Sequence, residues 1–383
     1  MGREAEGPGR DPGQPGARHR RALWVACMLG YAGCCAVWLL LATRYRETGW
    51  DFPQFYLAAH LPARDLYNRA AYLQRANELF QGTKVTYFPP YVRPAVFALP
   101  LAPLSLLSYK RAFVLWSAIQ FACWLAHLAL LRRLYPYRPE MLLAWGLFFP
   151  SMFGIITGQD NNALSLVVLV ACLQLMAGRE RLAGALFSLC LYKFNLFVLL
   201  PAYLAIARRW RALCYAGAGA CVLAGASFLL QSPRVYLEHL RRIPEMTIMQ
   251  GLIPTPGLRG LTLGWPAAYP VTAALAAAAA MLAMRRSKPL AGLAIALCGS
   301  VMIAYHVASY DLTVLTIPIA AAMQGRSRLA RFASMALLAG APLWLRAAQW
   351  AAPVMVLLFA GLLVSALGEE PAAAIDTRGR DEG

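Results

Sequence analysis

Charge is what this chain of 383 residues has least of: Asp, Glu, Lys and Arg make up 14%, and 18 residues are acidic. Soluble domains carry about a quarter of their residues as charges, so a water-soluble enzyme is excluded. Histidine is scarcer still, at 5 residues, and no His/Cys or His/carboxylate cluster can be assembled, so no metal site is assigned. The nine cysteines (Cys27, Cys34, Cys35, Cys123, Cys172, Cys190, Cys214, Cys221 and Cys298) all fall in apolar segments with no Cys-x-x-Cys pair. They read as small buried hydrophobes. There is no Gly-rich loop of the kind that cradles a nucleotide's phosphates, no transporter-type repeat, and no low-complexity array beyond the Ala-rich run Ala273 to Ala280.

Apolar residues fill the space that charge leaves. They make up 60% of the chain, and mean hydropathy is +0.51. A bilayer-spanning helix takes about 20 residues, and stretches of suitable character run at 22–42, 111–131, 141–156, 161–177, 183–207, 212–230, 265–284, 289–305, 312–323, 332–345 and 350–367. The net charge of +18 is distributed in short basic clusters between these runs, which reads as a cytoplasmic topology signal and not as a nucleic-acid surface. Placing Arg132/Arg133/Arg138, Arg179/Arg181, Arg208/Arg209/Arg211, Arg285/Arg286/Lys288 and Arg326/Arg328/Arg331 on one side requires two adjustments. Segment 183–207 must cross twice, with a break near Lys193, Phe194 and Asn195. Segment 91–107, carrying Pro94, Pro100 and Pro103, must dip in and return or lie along the surface.

The expectation is an all-α polytopic membrane protein of about 12 crossings, its transmembrane domain at 22–367. Residues 1–21 and 368–383 are expected to be cytoplasmic tails, the first of them disordered. Two long connections, 43–90 and 231–264, fall outside. The first is expected to carry amphipathic surface helices, at 53–60 and at 69–80 with Ala70, Leu73, Ala76 and Phe80 on one face, and the second another at 233–240.

A charge at the bilayer centre costs about 2.5–3.5 kcal/mol on insertion scales, so the carboxylates beside apolar runs are the informative ones. Asp51, Asp160 and Asp311 all fall at the same, extracytoplasmic ends of helices, as do Lys193 and His306. That convergence has the character of a site. Asp51 suits a general base, and it equally suits the N-cap of a helix that has Pro53 in its first turn. Asp160, within Gly158-Gln159-Asp160-Asn161, reads more readily as a cap. Lys193 suits a phosphate as a point charge, with snorkelling to head groups as the alternative. His306 lies close to Tyr310 and Asp311 and could hydrogen-bond or neutralise a phosphate. Trp50, Phe52, Phe55, Tyr56, Tyr87, Phe88 and Tyr91 could stack on sugars or form an interfacial belt.

Asp51-Phe52 with Tyr56, Leu66-Tyr67, the Phe88-Pro89-Pro90 step followed by Leu99-Pro100-Leu101-Ala102-Pro103-Leu104, Gly158-Gln159 with Asn161, Ala183-Gly184 leading to Lys193, and His306 to Asp311 form an ordered set that resembles glycosyltransferase family 87. These are polyprenol-phosphate-mannose-dependent α-mannosyltransferases of the GT-C membrane class. Two departures stand out: Phe88 where the family more often shows Tyr, and Arg93 in the stretch after it. The resemblance implies an inverting transfer of a hexose, mannose in the family, from a polyprenyl-phosphate sugar to a glycolipid or glycan acceptor on the extracytoplasmic face of the cell's inner membrane. The topology set by the basic clusters puts both termini in the cytoplasm; no cofactor is expected, the lipid-linked sugar being a substrate and a divalent metal being left open, and no nucleic-acid partner is expected. The resemblance assigns the base to Asp51 and donor-phosphate contact to Lys193 and His306, leaving Asp160, Tyr310, Asp311, Gln159 and Arg93 as secondary candidates. A lipid or solute transporter or flippase is the competing class. Against it stand the absent repeats and helix centres that read as nearly free of polar groups. A non-catalytic scaffold would leave Lys193 and Asp311 without a reason.

Overall fold

The computed structural model describes residues 17–45, 50–135, 141–146, 148–246, 256–262, 265, 267–339 and 351–367. Among the described residues every regular element is helical and no strand occurs. In chain order the helices are α1 (Ala17–Tyr45), α2 (Phe52–His60), α3 (Arg69–Phe80), α4 (Tyr109–Leu134), α5 (Met141–Gly146), α6 (Phe149–Thr157), α7 (Asn161–Met176), α8 (Glu180–Ser188), α9 (Leu200–Ile206), α10 (Trp210–Leu230), α11 (Pro233–Met246), α12 (Leu258–Leu261), α13 (Ala268–Arg286), α14 (Pro289–Ile303), α15 (Thr316–Gln324), α16 (Arg328–Ala339) and α17 (Ala351–Leu367). Tighter 3-10 segments at Ala95–Leu106, Leu189–Leu196 and Ser309–Leu315 interrupt them.

Among the described residues three helices, α4, α10 and α13, are individually long and apolar enough to cross a bilayer, against about 12 crossings expected of the whole chain. Proline and glycine shorten many of the others. Pro150 sits in the first turn of α6, Gly158 ends it in the left-handed conformation, and Pro201 opens α9. α1 begins at Ala17, so the backbone at Arg18, Arg20 and Arg21, expected to be disordered, is helical. Residues 1–16 and the expected tail 368–383 lie outside the described residues, as does Arg138.

Both adjustments demanded by the basic clusters have a structural counterpart. Glu180 at the start of α8 pairs with Arg209 just after α9 at 3.0 Å, so the chain between them goes out and returns to one end. Its turning point is Lys193, whose backbone (φ −136°, ψ 59°) leaves the helical region. In the same way Arg93 and Leu107 are both tied to the short helix α2, through Gln54 at 3.3 Å and Tyr56 at 2.9 Å. The proline-bearing 3-10 segment between them therefore leaves and re-enters at one end instead of crossing. Lys193, Asp51, Asp160 and Asp311 meet at that end. α4 and α7 run side by side in the same direction, tied by Gln120, which accepts from the Ala163 amide. Arg132 and Arg133 thus lie at the far end with Arg179.

A large apolar cluster holds the bundle. A second one, built from α2, α3, the 3-10 segment after Arg93 and the start of α4, caps its site end. Here the expected surface helices need correction. Phe52 to Ala58 of α2 are all buried, because its aromatics point in every direction and meet Tyr109, Phe113 and Trp116 of α4. α3 buries Tyr72, Ala76 and Phe80, while Ala70 is exposed, so its inner face is rotated from the one read in the sequence. The helix centres also carry more polarity than expected: His127 of α4 is wholly buried and its Nε2 lies 2.8 Å from the Thr316 hydroxyl.

Candidate active site

The site is built around the turn between α6 and α7. Gly158 adopts φ +80°, and a Cβ there would lie 2.4 Å from that of Phe52, so both the backbone and the close approach of α2 require glycine. The turn is held from outside: Asp51 N–H donates to the Thr157 carbonyl at 3.0 Å and the Trp116 indole to the Gly158 carbonyl at 2.8 Å. Gln159, Asp160 and Asn161 therefore enter the interior at the head of α7, all three buried.

Asp160 occupies the N-cap position of α7 but its side chain makes no capping hydrogen bond. Its carboxylate instead accepts from Arg93 at 3.3 Å, from Lys193 at 3.2 Å and from the Tyr192 hydroxyl. Lys193 also donates to Asp311 at 3.0 Å and to the Asn161 side-chain oxygen, and its ammonium lies 5.4 Å from the centre of the Tyr310 ring. Asp311 is satisfied further by Asn161 Nδ2 at 3.3 Å and by the Ala308 amide at 2.8 Å. Two cations and two carboxylates thus form one buried, charge-balanced network. Such a network holds only while every member has its partners.

Arg93 closes the network toward α2. Its guanidinium bonds Gln54 at 3.3 Å and Gln159 at 3.2 Å, and it lies between the rings of Phe55 and Tyr192, 5.4 and 5.2 Å from their centres. Its Nε is buried without a hydrogen-bond partner.

Asp51 stands apart from this pairing. It is the N-cap residue of α2 but makes no capping hydrogen bond there either. Its half-buried carboxyl is pushed up to about 6, chiefly by loss of water, against the lowering effect of a hydrogen bond from Gln159 and of the Arg93 and Lys193 charges. The site's cations are engaged by Asp160 and Asp311, which leaves Asp51 at the mouth as a carboxylate that is ionised at neutral pH yet basic enough to take a proton. Tyr310 stacks on Phe153, and Phe153 meets Trp50 edge-on, so an aromatic wall flanks the mouth.

His306 lies beside the network. Its backbone carbonyl accepts from Asn195 at 2.8 Å, and burial lowers its imidazole below the usual value, so it is neutral at pH 7 and offers a hydrogen bond, not a charge. Gln54, Tyr192 and Asn161 join the site although the sequence reading gave them no role in it. Tyr192 and Asn161 had one available signal, adjacency to Lys193 and Asp160. Gln54 had none beyond lying three residues after Asp51.

An apolar groove borders the network. Tyr67, Ala95, Leu191, Phe194, Phe228 and Tyr236 line it, so its walls adjoin Arg93 and Lys193 in sequence, and Phe194 and Phe228 are about half exposed at its rim. Among the described residues no group of three or more His, Cys, Asp or Glu is arranged to hold a metal ion.

Comparison with curated proteins finds no match, and neither does comparison with solved structures. The family model of glycosyltransferase family 87 matches residues 91–309, which takes in Arg93, Asp160, Lys193 and His306 and more than half of the chain; the protein belongs to glycosyltransferase family 87.

Proposed function

We propose that this membrane glycosyltransferase moves a hexose, mannose by family resemblance, from a polyprenyl-phosphate sugar to a hydroxyl of a lipid-linked or glycan acceptor, with inversion, on the extracytoplasmic face of the inner membrane. The observation that carries the reading is Asp51. It is a half-buried carboxyl without a cation of its own, raised to about 6, at the mouth of a charge-balanced polar network and near an apolar groove.

In this reading the acceptor hydroxyl gives its proton to Asp51 as its oxygen bonds the sugar's anomeric carbon. The bond from that carbon to the donor phosphate breaks on the opposite face, and the polyprenyl phosphate leaves with the electron pair. A general base contributes typically 10²–10⁴-fold, and stabilising the departing phosphate is the larger part of the task. Lys193 has three donors and all are occupied by Asp160, Asn161 and Asp311, so it supports the leaving group chiefly as a fixed positive charge. The partnerless Nε of Arg93 and the neutral ring of His306 are the donors left to reach a phosphate oxygen. The groove beside them suits the polyprenyl tail, since its walls are apolar and continuous with the residues flanking both cations.

The basic clusters at the opposite end of the bundle support placing the site outside and both termini in the cytoplasm. A panel of polyprenyl-phosphate hexoses offered to the purified protein in detergent tests the assignment. Release of polyprenyl phosphate together with acceptor glycosylation is expected for at least one donor. Transfer from nucleotide sugars alone would overturn it.

A further inference from the structure

The stretch that carries Arg93 has no secondary structure of its own. Residues 88 to 93 are neither helix nor strand, so their backbone carbonyls need other partners. Side chains supply them. Arg69 and Tyr72 of α3 donate to the carbonyls of Phe88 at 3.5 Å and Pro89 at 2.6 Å. Three more meet three consecutive carbonyls: His239 Nε2 to Tyr91 at 2.9 Å, the Tyr236 hydroxyl to Val92 at 3.3 Å and the Tyr67 hydroxyl to Arg93 itself at 2.6 Å. A carbonyl cannot donate, so His239 must carry its proton on Nε2. The rings of Tyr67, Tyr236 and His239 also pack together, with Tyr67 5.1 Å from Tyr236 and 4.9 Å from His239.

Two of these residues face both ways. Tyr67 and Tyr236 hold the backbone carbonyls of Arg93 and of Val92 before it through their hydroxyls, and both residues line the apolar groove. α11, which supplies Tyr236 and His239, is otherwise a surface helix: Arg234, Arg241 and Arg242 are exposed, and so are Val235 and Leu237.

We propose that Tyr67, Tyr236 and His239 form a clasp through which a lipid chain in the groove fixes the backbone of Arg93, and with it the guanidinium on Asp160 and Gln159. The coupling rests on the groove being the donor's lipid slot, as argued above. These three are positioning residues: none touches the reacting atoms, and they act by holding Arg93. Energy from binding the remote tail is thereby used to order the charge that meets the phosphate.

Hydrogen–deuterium exchange of the full-length protein in detergent, read on peptides covering residues 88 to 96, tests the clasp without reference to activity. Tyr236→Phe keeps the ring and the groove wall and removes one hydrogen bond. A net bond of about 1 kcal/mol predicts roughly fivefold faster exchange of this stretch in the unliganded variant. Equal exchange would overturn the clasp. Saturating undecaprenyl phosphate should slow exchange there in the wild type and leave Tyr236→Phe unprotected at similar affinity, whereas inorganic phosphate should protect neither protein. Binding of undecaprenyl phosphate without protection, or equal protection of both proteins, would overturn the coupling alone. Failure of the wild type to bind undecaprenyl phosphate at all would overturn the coupling together with the donor reading. With a working donor, Tyr236→Phe should lower kcat about tenfold with KM for the donor nearly unchanged. A rise in KM at constant kcat would make Tyr236 a groove wall only.

Discussion

Asp160→Asn separates a local reading of the sequence from the tertiary one. As an N-cap, asparagine is as good as aspartate, and the cap reading therefore predicts no change. In the structure the side chain caps nothing and serves as the shared anion of Arg93 and Lys193. The substitution removes one of two carboxylates facing two buried cations, leaving the network with an excess positive charge and an amide whose NH2 opposes the Arg93 and Lys193 donors. Breaking a buried pair in this way costs about 3–5 kcal/mol, a large share of the 5–15 kcal/mol by which domains are typically stable. Thermal melting in detergent should fall by several degrees, and donor transfer should fall with it. Removing the stranded charge tests the cause. In the double variant Asp160→Asn/Lys193→Met the charges balance again, and melting should recover toward the wild type although activity does not. An Asp160→Asn protein that melts like the wild type would refute the network's structural role.

Three further outcomes follow from the same geometry. Gly158→Ala forces a side chain into the left-handed region and against Phe52; a cost of about 1–2 kcal/mol from the backbone alone, plus the displacement of α2, should lower both melting temperature and transfer, measured together. For Asp51, whose carboxyl is raised to about 6, transfer should rise as pH increases through that value and level off above it; its contribution to stability has the opposite sense, full below the ordinary value of 3.8 and lost as pH rises through about 6, so Asp51→Asn should melt no lower than the wild type at pH 7 to 8. Asp65→Cys in a cysteine-free background should react with a membrane-impermeant maleimide on intact cells, and labelling only after permeabilisation would invert the topology.

The one-sided gathering of Asp51, Asp160, Asp311 and Lys193 was legible because charge is so rare in this chain that each carboxylate beside an apolar run is conspicuous. The break at Lys193 was legible for a related reason, since basic clusters on both sides of 183–207 cannot share a face if that segment crosses once. Arg93 was legible only as a secondary candidate, atypical in its own stretch, because its partners Gln54, Gln159 and Asp160 lie 39, 66 and 67 residues away. Asp160 was misread for the opposite reason: Gly-Gln-Asp-Asn at a helix start is a strong local signal for a cap, and the long-range partners outweigh it. The burial of α2 was hidden too, because aromatics on every face satisfy both an interfacial belt and a packed core, and only the placement of α4 decides between them.

The central claim is that Asp51 takes the acceptor's proton, and the most direct measurement is the transfer rate of Asp51→Asn with the best polyprenyl-phosphate hexose donor, alongside donor affinity and melting temperature. The substitution keeps the shape of the side chain and removes its capacity to accept a proton, so transfer should fall by at least about two orders of magnitude, with donor binding and folding preserved. A stable Asp51→Asn protein that transfers at the wild-type rate would contradict the account.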